Sequence, residues 1–325
     1  MRLAMIGQGR LAVYVTGRLI EAGHEVVVFD PGAQAGDAVA VEGAAAAGSL
    51  DELLAWLEPP RILWIMLAPG EPTEVAIADL VELGSPGDVV VDGSDTFYKD
   101  DIRRAASCSA RGIHLLDVGI MDGHSGSRRG YCMAIGGDAA SVKLLDPIFD
   151  ALAPGAGDIA PTRSRLGSDD RAERGYVHAG PTGAGRFVKM VHDAVGIGLM
   201  QAYAEGFDIL QGRGSAKLPD ESRFQFDLAD IAEMWRRASA TSSRLLDLTA
   251  SALAEQGDLN RFNGRVSDPG EGHRTIEAAM EETVPAHVLS AALFARYRSR
   301  VDATFGDKVL SATLFGLSGH WTLEP

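Results

Sequence analysis

Residues 3–30 constrain the fold more than any other stretch, because they read as a short apolar run (LAMIG), a helical segment (RLAVYVTGRLIEAG) and a second apolar run (HEVVVFD). That is strand, crossover helix and strand at the size of a βαβ unit, so parallel pairing follows. Apolar runs recur at RILWIML (61–67), DVVVDGS (88–94) and IHLLDVG (113–119), separated by the helix-like TEVAIADLVEL and KDDIRRAASCSARG. Runs this continuously apolar suit strands covered on both faces. YCMAIGGD (131–138) and ASVKLLDPIFDALAP add another strand and helix and complete a doubly wound α/β sheet.

After Ala153 the texture changes to GAGDIAPTRSRLGSDDRAERG, rich in Gly, Pro and charge, where a linker or long loop is expected. From about Gly183 to Gly319 the pattern is almost wholly helical. The expected organisation is an α/β domain with its linker over 1–178 and an all-helical domain over 179–325. The first of these helices should run roughly 27 residues, about 40 Å. Its small and apolar positions on more than one face predict burial against a second subunit, in a homodimer or homotetramer.

A chain of 325 residues with 46% hydrophobic content can bury two cores. Its formal charge of −15 argues against nucleic acid or an anionic membrane as partner. A small-molecule substrate fits better. Two cysteines, Cys108 and Cys132, signal neither a disulfide framework nor a metal site. No stretch reaches the length of a membrane span, and MRLAMIGQGRLAVYV lacks an export signal, so a cytoplasmic protein is expected.

Gly7, Gly9 and Ala12 form GxGxxA directly after the first strand and at the start of a helix. The first Gly permits the tight turn, the second lets the backbone approach a pyrophosphate, and the small third residue permits close helix packing. Phosphate then meets the free N–H groups of the helix start. Asp30 ends the second strand, where a carboxylate accepts bonds from ribose hydroxyls. This is the pattern of a Rossmann domain. Between Arg18 and Arg61 there is no Lys or Arg, and Asp30 would repel a 2′-phosphate, so NAD is expected ahead of NADP. The expected cofactor residues are Gly7, Gly9, Arg10, Leu11, Ala12, Asp30, Leu67, Ala68 and Ser94.

The stretches GQGRLA, DGSDTFYKDDIRRA, RGYCMAIGGD, DPIFDALAP, GYVHAGPTGAGRFVKMVHD, MQAYAEGFDIL, GRVSDPGEG and ALFARYRSR span both domains. Through them the chain resembles the short bacterial form of decarboxylating 6-phosphogluconate dehydrogenase, within the β-hydroxyacid dehydrogenase superfamily. The resemblance implies an oligomer with its active site in a cleft between a Rossmann and a helical domain. It also implies that Lys189, in GAGRFVKMVHD, is the base that takes the substrate's hydroxyl proton as hydride leaves. Only five of the 30 basic residues are Lys, so a Lys at this position stands out. His192 shares its helix face, as a helper or as a satisfied core histidine.

Helical spacing places Lys189, His192, Asp193, Gly196 and Ile197 on one face. The resembling enzymes continue Asn, Gly, Ile, Glu, Tyr where this chain reads Asp193, Ala194, Val195, Gly196, Ile197. The Glu is their acid after decarboxylation and the Tyr their phosphate ligand, roles Gly196 and Ile197 cannot fill. Where they hold the substrate carboxylate with Ser and two Gly, this chain has Ile120, Met121, Asp122 and Gly123. Their DGGNS is DGSDT here, giving Ser94 and Asp95, and GEGRWT has become GEGHRT, while Arg296 of ALFAR remains. The expected catalytic residues are therefore Lys189, His192 and Asp193. Expected at the substrate are Asp95, Met121, Asp122, Gly123, Gly196, Ile197 and Arg296.

Asp95, Asp122 and Asp193 replace uncharged positions, which suggests an amine-bearing or neutral substrate, unless these carboxylates face solvent or pair with Lys189, His192 or Arg296. The leading expectation is an NAD(P)-dependent dehydrogenase or reductase acting on a hydroxyl or keto compound rather than 6-phosphogluconate. Imine reduction is a neighbouring option. The alternative from a different class is a non-catalytic dinucleotide-binding or scaffold protein, which the retained Lys189 opposes.

Overall fold

The computed structural model describes residues 1–32, 41–121, 129–165 and 169–318. Two compact units divide inside one long helix, Met1–His192 and Asp193–Pro325. In the first unit eight strands form one sheet: β1 (Arg2–Ile6), β2 (Glu25–Phe29), β3 (Ala45–Ala46), β4 (Ile62–Ile65), β5 (Val89–Asp92), β6 (His114–Met121), β7 (Cys132–Gly136) and β8 (Tyr176–Gly180). Their order is β3-β2-β1-β4-β5-β6-β7-β8, and every pair is parallel except β6 with β7. Its helices are α1 (Arg10–Glu21), α2 (Leu50–Ala55), α3 (Glu71–Leu83), α4 (Tyr98–Ser109), α5 (Ala139–Leu144), α6 (Asp146–Leu152) and the short α7 (Arg171–Arg174).

The doubly wound α/β sheet explains the continuous apolar runs. Leu3 and Met5 face one core with Val15, Leu19 and Phe149, whereas Ala4 and Ile6 face the other with Leu53, Ile77 and Leu80. Both faces are covered over β1, β4 and β5, so these strands show no polar alternation. Strand β8 carries the sheet to Gly180, past the charged segment that follows Ala153.

Helix α8 (Ala184–Gly212) runs 29 residues across the division between the units. The second unit continues with α9 (Leu228–Trp235), α10 (Arg244–Glu255), α11 (Glu271–Glu281), α12 (His287–Arg298) and α13 (Phe305–Ser318), and no strand occurs among its described residues. Its small core gathers Phe207, Ala232, Leu246, Ala250 and Leu253.

Candidate active site

The turn from β1 into α1 is built as its glycines require. Gly7 has φ +113°, and a Cβ there would run into the Met66 carbonyl oxygen. Gly9 is the opposite case: it caps α1 with φ −59°, and a Cβ would meet nothing within 4 Å. The protein itself does not need a glycine at position 9, so the space in front of it suits something approaching from outside. Asp30, just past β2, is aimed by two backbone donors. The Gln8 N–H donates to one of its oxygens and the Gly32 N–H to the other, each at 2.8 Å.

These groups open onto a cleft of about 520 Å³. Gly9, Arg10, Leu11, Ala12, Asp30, Leu67, Ala68 and Ser94 all line it, so of the expected cofactor residues only Gly7 stays behind the wall, where it shapes the turn. A second cavity of about 440 Å³ adjoins it, shares Pro31, Gly32 and Pro72, and adds the apolar Phe29 and Val75. A carboxylate for hydroxyls, a free helix N-terminus with Arg10 beside it and an apolar slot fit the parts of a dinucleotide.

Asp95 also lines the first cleft, and its carboxylate lies 3.0 Å from Lys189 Nζ. The loop carrying it is fixed from below. The Ser94 hydroxyl accepts the Leu67 N–H at 3.1 Å, and the Ser94 N–H donates to Asp92 at 2.8 Å. Lys189 reaches this loop because α8 lies directly on β6. A Cβ on Gly119 would sit 2.6 Å from the Gly185 carbonyl oxygen and 2.7 Å from Lys189 Cβ, a contact only glycine allows.

Beneath Lys189 lies a group of buried charges that sequence reasoning missed. Arg186, one turn earlier on α8, donates to the Asp92 carbonyl at 3.0 Å and the Val118 carbonyl at 3.2 Å, and its Nε lies 3.3 Å from Asp101. Arg104 bridges Asp92 and Asp101, each at 3.2 Å, and reaches Glu74 at 2.7 Å. Asp117, opposite Asp92 in the sheet, accepts the N–H groups of Gly183 and Arg186 at the start of α8. Burial pushes the Asp101 carboxyl up to about 7, the two guanidiniums opposing the shift and the Asp92 and Asp117 carboxylates adding to it. Burial likewise raises Asp117, against the donated N–H groups. The one clue in the sequence was an Arg placed three residues before the Lys.

Other expected residues are placed as follows. His192 is exposed, one turn beyond Lys189. Met121 ends β6 and is buried, its Sδ 4.0 Å from the Cys132 thiol. Asp122 and Gly123 lie outside the described residues. In the second unit Asp193 and Gly196 are half-buried, and Ile197 is buried against Gly272. Arg296 donates to the Ser267 carbonyl at 2.9 Å. Of the acidic exchanges, Asp95 is thus matched by a cation of the protein itself.

The model of the NAD binding domain of 6-phosphogluconate dehydrogenase matches residues 2–160, and that of the 6-phosphogluconate dehydrogenase C-terminal domain matches residues 185–309. The chain belongs to the 6-phosphogluconate dehydrogenase family. It is 34% identical over 321 residues to the NAD(+)-dependent, decarboxylating 6-phosphogluconate dehydrogenase of Haloferax volcanii, covering 98% of each chain. It is 33% identical over 322 residues to YqeC of Bacillus subtilis, covering 99% of each. A Plasmodium falciparum 6-phosphogluconate dehydrogenase, described with NADP+ and with 6-phosphogluconate, shares the fold at TM-score 0.75 and 19% identity, over 100% of this chain and 66% of that one. This family member is an NAD(P)-dependent oxidoreductase, and nothing in these relationships favours the non-catalytic alternative. No described helix is long and apolar enough to cross a membrane.

Proposed function

We propose that this dehydrogenase transfers a hydride between NAD(H) and a small hydroxyl or keto compound other than 6-phosphogluconate, with Lys189 handling the proton. The observation that carries this reading is Lys189 Nζ held 3.0 Å from Asp95, a wall residue of the cleft formed by Gly9 and Asp30. When bound, the nicotinamide supplies or accepts the hydride. The rest falls to the chain. Gly9 and the first N–H groups of α1 bind the pyrophosphate, Phe29, Pro72 and Val75 flank the adenine, and Asp30 accepts the ribose hydroxyls while repelling a 2′-phosphate. Lys189 exchanges a proton with the substrate oxygen, with His192 and Asp193 on the next turn of the helix face. The helical part from residue 179 onward contributes substrate contacts and the oligomer interface.

The substrate side supports a departure from 6-phosphogluconate. Ile197 is 6% exposed and offers methyl groups where the resembling enzymes present a phosphate ligand, and Gly196 has no proton to give. Asp95 is matched by Lys189, so a neutral hydroxyl or keto group suits this corner better than a second cation. Two unpaired cysteines suit a cytoplasmic setting.

Calorimetric titration with NADH and NADPH, beside steady-state assays with 6-phosphogluconate, tests the reading. NADH should bind at least about tenfold tighter, roughly 1.4 kcal/mol, and Asp30→Ala should narrow that gap. Equal or tighter NADPH binding, or 6-phosphogluconate turnover at about 1 to 1,000 per second, would reject it.

A further inference from the structure

We propose that Asp95 favours the protonated form of Lys189, so that the site enters its reaction as an acid and is set for carbonyl reduction. This rests on the hydride-transfer reading above and adds the direction in which the site is poised. The geometry is specific. The Lys189 side chain is only 14% exposed, its stem is pressed onto β6 at Gly119, and its Nζ meets the Asp95 carboxylate at 3.0 Å. Burial alone favours the neutral amine, whereas a carboxylate in contact favours the ammonium. Asp95 therefore pulls the balance toward the ammonium.

The other charged groups around this point are already engaged. From β5 and α4, Asp92 and Asp101 meet Arg104 and Arg186. From β6, Asp117 takes the Gly183 and Arg186 N–H groups. On α8 itself Arg186 precedes Lys189 by one turn, and His192 and Asp193 follow it. Asp95 meets Nζ directly, at 3.0 Å. Its loop is held by Ser94 to both Leu67 and Asp92, so the pair is positioned before any substrate arrives.

Reduction then balances as follows. The carbonyl carbon gains a hydride from the reduced nicotinamide dinucleotide, the C=O π pair moves onto oxygen, and that oxygen takes a proton from Lys189 Nζ. An alcohol and the oxidised dinucleotide leave, and the amine regains its proton from solvent. Alcohol oxidation runs the same path backward and requires the neutral amine, so it should rise only toward alkaline pH. Asp95 is a positioning residue here, acting through Lys189.

The test reads the Lys189 amine directly and needs no substrate. The full chain, Asp95→Asn and Asp95→Glu are acetylated briefly with acetic anhydride from about pH 6 to about pH 11, and each lysine's extent of reaction is read by peptide mass spectrometry. The midpoint for Lys189 should fall by about one pH unit in Asp95→Asn, the low end of the usual range because Asp95 is 56% exposed, and return in Asp95→Glu. The exposed Lys143 and Lys217 are internal references that should not move. A Lys189 midpoint that is the same in all three proteins overturns the proposal while leaving the cofactor titrations above to judge the hydride-transfer reading.

Discussion

At the residue scale, Gly7 and Gly9 look alike in the sequence and do different work. Gly7 sits at φ +113° with the Met66 carbonyl where a Cβ would go, so Gly7→Ala strains the backbone and collides with β4's exit. It should cost more than about 1 kcal/mol of stability in denaturant unfolding. Gly9 has an ordinary φ and open space around its missing side chain. Gly9→Ala should leave stability within about 0.5 kcal/mol yet weaken NADH binding at least about tenfold, because only a ligand occupies the space the methyl group takes. Gly9→Ala binding NADH as well as the native chain would place the pyrophosphate elsewhere.

At the scale of elements, β5, α4, β6 and α8 are joined by three fully buried carboxylates facing two nearly buried guanidiniums. Such a cluster holds a proton more readily than separate groups would. With Asp101 raised to about 7, the folded chain keeps a proton that the unfolded chain releases near 4. The stability this contributes is complete below about pH 4 and is lost as pH rises through 7. Asp101→Asn stays neutral throughout. Its stability relative to the native chain should therefore improve between pH 5 and 7 by up to about 1.4 kcal/mol per pH unit and level off above, in urea unfolding at several pH values. A difference independent of pH would assign the proton to another carboxylate. The same cluster shows why the sequence was legible only in part. Strands β1, β4, β5 and β6 announce themselves as apolar runs because both of their faces are covered, and Gly9 and Asp30 belong to a local motif. Edge strand β8 buries fully only Tyr176, so YVHAG carries no such run. The helical stretch 227–256 hides a break, where Ala238 turns to φ +66° between α9 and α10. Arg186 meets the Asp92 carbonyl across 94 positions and Asp101 across 85, a pairing that no periodicity encodes.

At the scale of the whole molecule, the two units differ in how much apolar surface they keep from water. The sheet of the first is covered on both faces, whereas the second leaves Met280 (69%), Val288 (69%), Phe294 (65%) and Phe305 (81%) exposed, with Leu199, Met200 and Ile209 along α8. Apolar surface on this scale is what a subunit contact would cover. A net charge of −15 opposes indiscriminate sticking, so a specific self-complementary contact is the economical occupant, and two-fold pairing is the commonest such arrangement. The protein should sediment as a dimer or tetramer at micromolar concentration. Because each large apolar side chain buried at a contact contributes about 1.5–3 kcal/mol, and symmetry uses it twice, Met280→Glu with Phe294→Glu should weaken association at least about a hundredfold. Gly9, Asp30 and Lys189 all belong to the first unit, so the double variant should still bind NADH. A native chain that sediments as a monomer at tens of micromolar would sink the assembly. A double variant that dissociates and also loses NADH binding would show that the cofactor cleft depends on the subunit contact, which the first unit's own walls of Gly9, Asp30, Leu67 and Ser94 argue against.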